Sequence, residues 1–384
     1  MGLETEMTSG AKVKLERAEL RLIELELAAP FETSFARERV KRAIIVALFG
    51  DGAVGWGECV ASSGPWYSYE TVETAWHVLR EFLLPRVLGR REKLGLQELK
   101  GELAPIRGHP MAKAALEAAF LDLQAKLEGR PLARLLGGER DRVTSGVSIG
   151  IQEDLTELLK EVARRLEEGY PRVKLKIKPS WDLAVVEAVR REFPKIKLQV
   201  DANSAYTLED RGLFAELDRF ELLLIEQPLG YDDLVDHARL QRELRTPLCL
   251  DESISSLAAA RAALELGSCR VINIKPGRVG GPTQAIAIHD LCRASGVPVW
   301  CGGMLETGIG RAHNLAVASL PGFTLPNDIS ASSRYFARDI VEPEFVLNPD
   351  GTITVPRGPG IGVEVVEERL ERATVRKEVI RQGR

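Results

Sequence analysis

The sequence is poor in cysteine and histidine and has no long apolar run. Its 384 residues include five cysteines and five histidines, without a Cys-x-x-Cys pair or a metal-binding histidine spacing. Scattered cysteines in apolar stretches favour buried, reduced thiols over a disulfide or zinc framework. The first residues lack the apolar core of a signal peptide, and no run is long enough to span a membrane. These absences predict a cytoplasmic protein that has no membrane partner.

The sequence also lacks an excess of positive charge. Lys and Arg total 52 against 56 Asp and Glu, which gives a net charge of −4. Without a basic surplus we expect no nucleic-acid partner. Hydrophobic residues make up 45% and charged residues 28%, a balance typical of a globular protein with a large core. The length predicts one large domain together with a smaller one.

Short apolar runs alternate with amphipathic helical stretches from about residue 142 onward. Eight such runs recur at a period of about 25 residues, which is the length of one strand–helix unit. They are VTSGVSIGI, RVKLKIK, KLQVDAN, LLLIEQ, PLCLDE, RVINIK, VPVWCG and a weaker GFTLP. Eight units favour a closed α/β barrel, and a doubly wound open sheet is the alternative.

The rest of the chain follows another pattern. We expect residues 1–12 to form a disordered tail and residues 13–141 to form an α+β module, with Asp51 and Gly52 as a hairpin turn. Within this module, MAKAALEAAFLDLQAKLEG is the strongest helical stretch. Residues 142–345 then form the barrel. Residues 346–384 carry turn signals, end in a charged helical stretch and are expected to pack back on the first module.

Three acidic residues each follow an apolar run directly. Asp201, Glu226 and Asp251 are spaced by about 25 residues, one strand–helix unit each, so they should meet where the carboxyl ends of the strands converge. Three clustered carboxylates repel one another unless a cation neutralises them. Oxygen ligands favour a hard divalent ion, Mg²⁺ first and Mn²⁺ as the alternative. A single such acid could instead cap the following helix, but three in register favour the metal site.

Lysines flank the acids on both sides. Alternation places Lys174 and Lys176 on one face of the second strand, while Lys275 ends the sixth strand, on the opposite side of an eight-stranded barrel. Inward-facing lysines are costly unless they are paired or functional. Nearby positive charge lowers the pKa of a lysine, so that its neutral amine can take a proton from carbon. The pattern predicts metal-dependent proton abstraction next to a carboxylate.

Several motifs carry a resemblance to a known family. KLKIKP, DANSAYTL, LIEQPL, LCLDESI, NIKPGRVGG and WCGGMLETGIGRA resemble the muconate-lactonizing-enzyme subgroup of the enolase superfamily. HPMAKAALE, GVSIGI, IKPSWD, CGGMLETGIGRAHN and TLPNDISASSRYF are most similar to its o-succinylbenzoate synthase / N-succinylamino acid racemase family. Ser180 departs from the glycine that is frequent there. The resemblance, which extends to about residue 365, implies a modified (β/α)7β barrel of the TIM type with an α+β capping domain.

The resemblance also implies roles for individual residues. The metal ligands of the family are matched by Asp201, Glu226 and Asp251. Lys176 matches the acid/base lysine, and Lys275 matches the lysine on the opposite face. Lys174 matches the residue that tunes Lys176. Substrate contacts are expected at Ser148, Asn203, Arg278, Gly303 and Met304. Capping loops at residues 30–37 and 62–69 should determine specificity, through the apolar surface of Phe31, Phe35, Trp66 and Tyr67.

The implied reaction is the dehydration of 2-succinyl-6-hydroxy-2,4-cyclohexadiene-1-carboxylate to 2-succinylbenzoate in menaquinone biosynthesis, together with N-acylamino acid racemisation. Either way the substrate is a small carboxylate and the expected assembly is a homo-oligomer. A dipeptide epimerase or a muconate cycloisomerase of the same subgroup is the alternative. A Schiff-base aldolase would not need the three acids, and a non-catalytic binding protein would be expected to lose an acid or a lysine.

Overall fold

The first module is a β-meander followed by helices. The structure is a computed structural model that describes residues 10–381, so residues 1–9 of the expected tail lie outside the described residues. Residues 10–12 are described, and the Ala11 N–H donates to Glu128 Oε1. The elements are β1 (Leu15–Glu32), β2 (Arg37–Gly50), β3 (Ala53–Cys59), α1 (Val72–Val78), α2 (Leu84–Leu88), α3 (Leu96–Leu103), α4 (Pro110–Leu127) and α5 (Leu132–Leu135).

The meander has the predicted turn and the predicted helix. β1, β2 and β3 pair antiparallel. Asp51 and Gly52 join β2 to β3 with φ angles of 46° and 81°, the left-handed conformation that a two-residue hairpin turn requires. Helix α4 packs closely on β3, because a Cβ at Gly57 would lie 2.0 Å from the Ala115 carbonyl oxygen. Glycine therefore permits the contact that fixes α4 on the sheet.

The second module alternates strands and helices as predicted. Strands β5 to β11 form one parallel sheet in chain order. The elements are β4 (Arg142–Thr144), β5 (Val147–Ile149), α6 (Leu155–Glu167), β6 (Arg172–Lys176), α7 (Leu183–Glu192), β7 (Lys197–Asp201), α8 (Arg211–Leu217), β8 (Ile225–Glu226), α9 (Val235–Glu243), β9 (Leu248–Leu250), α10 (Leu257–Leu266), β10 (Val271–Ile274), α11 (Pro276–Val279), α12 (Pro282–Ala294), β11 (Val299–Cys301) and α13 (Gly308–Ala318).

The eighth predicted strand is replaced by an irregular segment. Phe323 forms a parallel bridge with Val299 of β11, and Asn327 forms one with Ser145 before β5. The segment therefore connects the last strand of the sheet to the first and closes the barrel. Pro326 lies within it and has no N–H to donate, so a regular central strand cannot run through this position. The predicted barrel is confirmed, with its eighth strand reduced to isolated bridges.

The C-terminal segment returns to the first module. It contains β12 (Val341–Glu342), β13 (Thr352–Thr354), β14 (Glu364–Val365), α14 (Glu367–Ala373) and β15 (Thr374–Arg381). β15 pairs antiparallel with β1, which extends the meander to the order β15-β1-β2-β3. The prediction that the chain ends in a charged helix was wrong, since α14 is short and a strand follows it. The β-branched residues of TVRKEVIR favour a strand, and the edge of β1 offers it a partner.

Two expectations drawn from composition concern the whole molecule. All five cysteines are buried and free, as the sequence predicted. Among residues 10–381, no helix combines the length and the apolar character that crossing a membrane would take.

Candidate active site

Three acidic side chains lie at the carboxyl ends of neighbouring strands. Asp201 ends β7, Glu226 ends β8, and Asp251 directly follows β9. The sheet register places Asp201 beside Glu226. All three side chains are fully buried. The parallel sheet therefore brings the three acids together at the same end of the barrel.

Two lysines of β6 reach into this acid cluster, which we define as Asp201, Glu226 and Asp251. Lys174 Nζ lies 3.0 Å from Glu226 Oε2 and 3.1 Å from Asp201 Oδ2. Lys176 Nζ lies 2.6 Å from Asp201 Oδ2. Both lysines are buried, so their contacts with the acids balance charges that would otherwise be very unfavourable away from water.

The same contacts give the two lysines of β6 opposite pKa shifts. Burial lowers the pKa of Lys176, and the charge of Lys174 lowers it further, against the effect of Asp201. Burial also disfavours the charge on Lys174, but three carboxylates, Asp328 first among them, outweigh it and raise the pKa of Lys174. The charge of Lys174 acts in the direction expected of a residue that tunes Lys176, although burial is the larger cause of the shift. Lys176 is thus the more readily neutral amine, which is the form that a base requires.

Lys275 faces the acid cluster from the other side. It directly follows β10, and its Nζ lies 2.8 Å from Asp251 Oδ2 and 3.0 Å from the hydroxyl oxygen of Tyr67. The strands that carry the acids separate β6 from β10 in the sheet, so Lys176 and Lys275 approach from opposite walls. Burial disfavours the charge on Lys275, yet Tyr67 and Glu252 outweigh burial and raise its pKa. Lys275 is therefore held as an ammonium group.

Arg278 lies behind Asp251 instead of at the surface of a cavity. Its Nη1 donates to Asp251 Oδ1, its Nη2 donates to the Asn273 carbonyl at 2.7 Å, and its Nε donates to the Ile254 carbonyl at 3.0 Å. Each of the three guanidinium nitrogens therefore donates to a protein oxygen. Arg278 thus supports Asp251, and its expected substrate contact stays a prediction.

Asn203 connects Lys176 to a fourth buried carboxylate. Its Oδ1 accepts a hydrogen bond from Lys176 Nζ at 2.6 Å, and its Nδ2 donates to Glu252 Oε1 at 2.9 Å. Burial, followed by the charge of Asp201, raises the pKa of Glu252 to about 7. Asn203 also lines the cavity described next, so it both contacts Lys176 and borders the space beside it.

A single cavity at the mouth of the barrel brings most of the predicted residues together. Its barrel side includes Lys174, Lys176, Lys275, Ser148, Asn203, Gly303 and Met304, and its other side includes Phe31, Phe35 and Tyr67 from the first module. Phe31 packs edge-on against Tyr335, with ring centroids 6.3 Å apart. The cavity thus joins a charged floor to an apolar wall, as binding of a carboxylate with an apolar substituent requires.

Trp66 lies just outside this cavity. Its side chain is 67% exposed, and it lines a neighbouring cleft together with Phe35, Tyr67 and Tyr231. Phe35 and Tyr67 border both spaces. Of the four aromatic residues predicted from the capping loops, three therefore line the cavity, and Trp66 lies at its edge.

Sequence reasoning missed several residues that line the cavity, among them Lys41, Asp328 and Tyr335. Asp328 Oδ2 lies 2.7 Å from Lys174 Nζ. It follows the eighth apolar run as the other acids follow theirs, so the same spacing argument could have found it. Lys41 lies in the charged first half of β2, RERVKR, where its sequence neighbours do not distinguish it. No comparable signal in the sequence marks Tyr335, which lies in an irregular segment.

The donor chemistry of the acid cluster fits a hard divalent cation. It offers only carboxylate oxygens, from three adjacent strand ends. Among residues 10–381, no group of three Asp, Glu, His or Cys side chains is close enough together, in the positions that the structure gives them, to hold a metal ion. The ammonium groups of Lys174, Lys176 and Lys275 contact the carboxylates there. The oxygens that these ammonium groups neutralise are the donors that a cation would use.

Comparison with known proteins gives consistent similarities over most of the chain. Residues 17–137 match the mandelate racemase / muconate lactonizing enzyme N-terminal domain, and residues 157–369 match the enolase C-terminal domain-like family. The chain is 54% identical to an o-succinylbenzoate synthase of Geobacillus stearothermophilus, over 94% of this chain and 96% of that protein. It is 52% identical to an N-succinylamino acid racemase of Thermus thermophilus, over 94% and 98%. A crystal structure of an enolase superfamily member from Listeria innocua, 45% identical, superposes with a TM-score of 0.92 over 96% and 99% of the two chains.

Proposed function

Because the chain belongs to the o-succinylbenzoate synthase / N-succinylamino acid racemase family of the enolase superfamily, we propose that it removes the proton alpha to a substrate carboxylate. The reactions are the dehydration that yields 2-succinylbenzoate, in menaquinone biosynthesis, and the racemisation of N-succinylamino acids. One observation carries the proposal. Lys176 and Lys275 line the same cavity from opposite walls, on either side of the acid cluster.

Asp201, Glu226 and Asp251 would hold a divalent cation, with Mg²⁺ as the first candidate and Mn²⁺ as the alternative. When bound, the cation supplies Lewis-acid stabilisation of the negative charge that develops on the substrate carboxylate. Arg278 holds Asp251 from behind, and Asn273 Nδ2 donates to Glu226 Oε1 at 2.7 Å. These bonds orient the carboxylates in advance, which limits the reorganisation that binding costs.

Lys176 acts as the base in the dehydration. Its lowered pKa favours a neutral amine, and Asn203 holds its Nζ in place. It takes the proton alpha to the carboxylate, and the hydroxide leaves from the same face of the ring, so one base on one face is sufficient. The Lys275 ammonium lies across the cavity, where it stabilises the negative charge that develops during proton removal.

Racemisation needs both lysines, because one removes the alpha proton and the other returns a proton to the opposite face. The strands between Lys176 and Lys275 keep the two lysines on opposite walls, which supports this exchange. A dipeptide epimerase would use the same two lysines, so the acyl group of its substrate is what distinguishes it from the proposed enzyme. An aldolase would form a Schiff base on a lysine, which borohydride would trap.

The setting of the enzyme is part of the proposal. We place it in the cytoplasm, which its five free, buried cysteines support. A small-molecule carboxylate is the substrate, and the homo-oligomer stays a prediction.

The test is deuterium incorporation from heavy water into each enantiomer of N-succinylphenylalanine, alongside the dehydration assay, with added Mg²⁺. Lys176→Ala should lower both reactions by about 10²- to 10⁴-fold, the usual contribution of a positioned base. Lys275→Ala should remove racemisation but leave exchange of the one enantiomer whose proton faces Lys176. Lys197→Ala, at the exposed start of β7, is the matched control and should keep wild-type rates.

Two outcomes would count against the proposal. Equal exchange of both enantiomers in both active-site variants would show that neither lysine is the base. A wild-type protein that turns over neither substrate in the presence of the cation would remove the assigned reactions altogether.

A further inference from the structure

Lys41 is a buried cation in the wall of the active-site cavity, outside the acid cluster. It lies in β2, is 4% exposed, and lines the same cavity as Lys176 and Lys275. Its Nζ donates to the Met304 carbonyl oxygen at 2.8 Å. In the part of the chain that the structure describes, no carboxylate oxygen lies within the 4.0 Å of an ion pair with Lys41. The cation is therefore buried without a counter-ion in contact.

The nearby carboxylate of Glu58 is engaged elsewhere. Glu58 Oε2 accepts hydrogen bonds from Thr307 Oγ1 at 2.7 Å and from the Gly310 N–H at 3.0 Å, at the start of α13. Lys41 and Glu58 attract each other only at longer range. Glu38 lines the same cavity without an ion pair to Lys41. Neither acid thus takes the place of a direct partner for the ammonium.

An ammonium group has three N–H donors, and the Met304 carbonyl accepts from one of them. Burial of such a group is unfavourable unless an anion or further acceptors complete its hydrogen bonds. Since Lys41 lines the cavity, a ligand bound there can supply the missing acceptors. Phe31 and Tyr335 provide an apolar wall in the same cavity, suited to the uncharged part of that ligand.

We propose that Lys41 binds a second anionic group of the substrate, a carboxylate at the far end of its acyl chain. The carboxylate next to the reacting carbon lies at the acid cluster, between Lys176 and Lys275. The site then selects dicarboxylates over substrates with a neutral acyl group. This inference rests on the proposed function, because it assumes that the reacting carboxylate occupies the acid cluster.

The test compares two substrates that differ in one charge. N-succinylphenylalanine and N-(4-methylpentanoyl)phenylalanine have nearly the same shape, with a carboxylate replaced by an isopropyl group. Lys41→Met should lower kcat/KM for the succinyl substrate at least tenfold, mainly through KM, and change that for the neutral substrate less than threefold. Lys41→Arg should retain the preference for the succinyl group. Arg39→Met removes an exposed charge of the same strand and should leave both values unchanged.

Each result has a distinct meaning. An equal fall for both substrates in Lys41→Met would show that Lys41 only holds the loop around Met304, and it would overturn the inference. An unchanged preference in Lys41→Met, or its loss in Lys41→Arg, would do the same while wild-type racemisation still stands. A wild type that racemises neither substrate would instead remove the proposed function, and the inference with it.

Discussion

Glu117 is a buried acid that joins the first module to the barrel. It lies in α4, is 3% exposed, and accepts hydrogen bonds from the Thr283 N–H at 2.8 Å and from Thr283 Oγ1 at 2.9 Å, in the first turn of α12. Burial raises the pKa of Glu117 to about 7, although both bonds from Thr283 oppose the shift. The ordinary value is 4.5. Folding therefore has to work against the ionisation of this side chain at neutral pH.

The difference between the two pKa values fixes the direction and size of a pH effect. Below pH 4.5 the carboxyl is protonated in both states, so its contribution to stability is fully present. As the pH rises towards 7, the folded protein binds more protons at Glu117 than the unfolded chain, and the free energy of unfolding falls. This contribution falls by about 2.5 kcal/mol between about pH 5 and about pH 8, at 1.36 kcal/mol for each unit of pKa.

Glu117→Gln removes the ionisation but keeps an oxygen that can accept from the Thr283 N–H. We expect the free energy of unfolding of the variant, relative to wild type, to improve by about 2.5 kcal/mol from about pH 5 to about pH 8. Urea unfolding at both pH values measures it, from the midpoint and the slope. Glu153→Gln, an exposed position, is the control. A difference between variant and wild type that is the same at both pH values would refute the reasoning.

Two further predictions concern the charged end of the barrel. Asp201→Asn should abolish turnover. Removal of the metal by a chelator should also abolish it, and activity should return when Mg²⁺ is added. Full activity in metal-stripped protein would contradict the proposal that the acid cluster holds a metal ion. Asp328→Asn should lower the free energy of unfolding by about 3 kcal/mol, because Lys174 and Arg172 lose a buried counter-charge. Urea midpoints measure the second effect, and a change under about 0.5 kcal/mol, the range of an ordinary surface substitution, would contradict it.

Much of the barrel could be predicted because its geometry repeats along the chain. Strand–helix units of nearly equal length put each strand end one period after the last, so Asp201, Glu226 and Asp251 could be placed together without coordinates. Alternation within β6 likewise placed Lys174 and Lys176 on one face. These arguments need only the sequence, since local periodicity and parallel pairing determine which residues share an end of the sheet.

Contacts between distant segments could not be predicted in this way. The C-terminal segment was expected to pack on the first module, but the pairing of β15 with β1 was not, because neither strand carries a signal that identifies its partner. The direction of a long side chain could not be predicted either. Arg278 could extend into the cavity or turn back to Asp251, and only its packing decides between these two directions. Lys41 enters the site from the first module, so no period of the barrel could point to it.

Tyr67 lies in a loop that shapes the cavity, and it also contacts two residues that take part in the proposed reaction. It belongs to the first module, lines the cavity, and packs against Phe35 with ring centroids 6.4 Å apart. Its hydroxyl donates to Asp251 Oδ1 at 3.1 Å and accepts from Lys275 Nζ at 3.0 Å. A change in this loop that reshapes the pocket therefore also shifts a carboxylate of the acid cluster and one of the two lysines. Phe31 lines the same cavity and packs on Tyr335 but makes no such hydrogen bond, so substrate preference can change there with less effect on proton transfer.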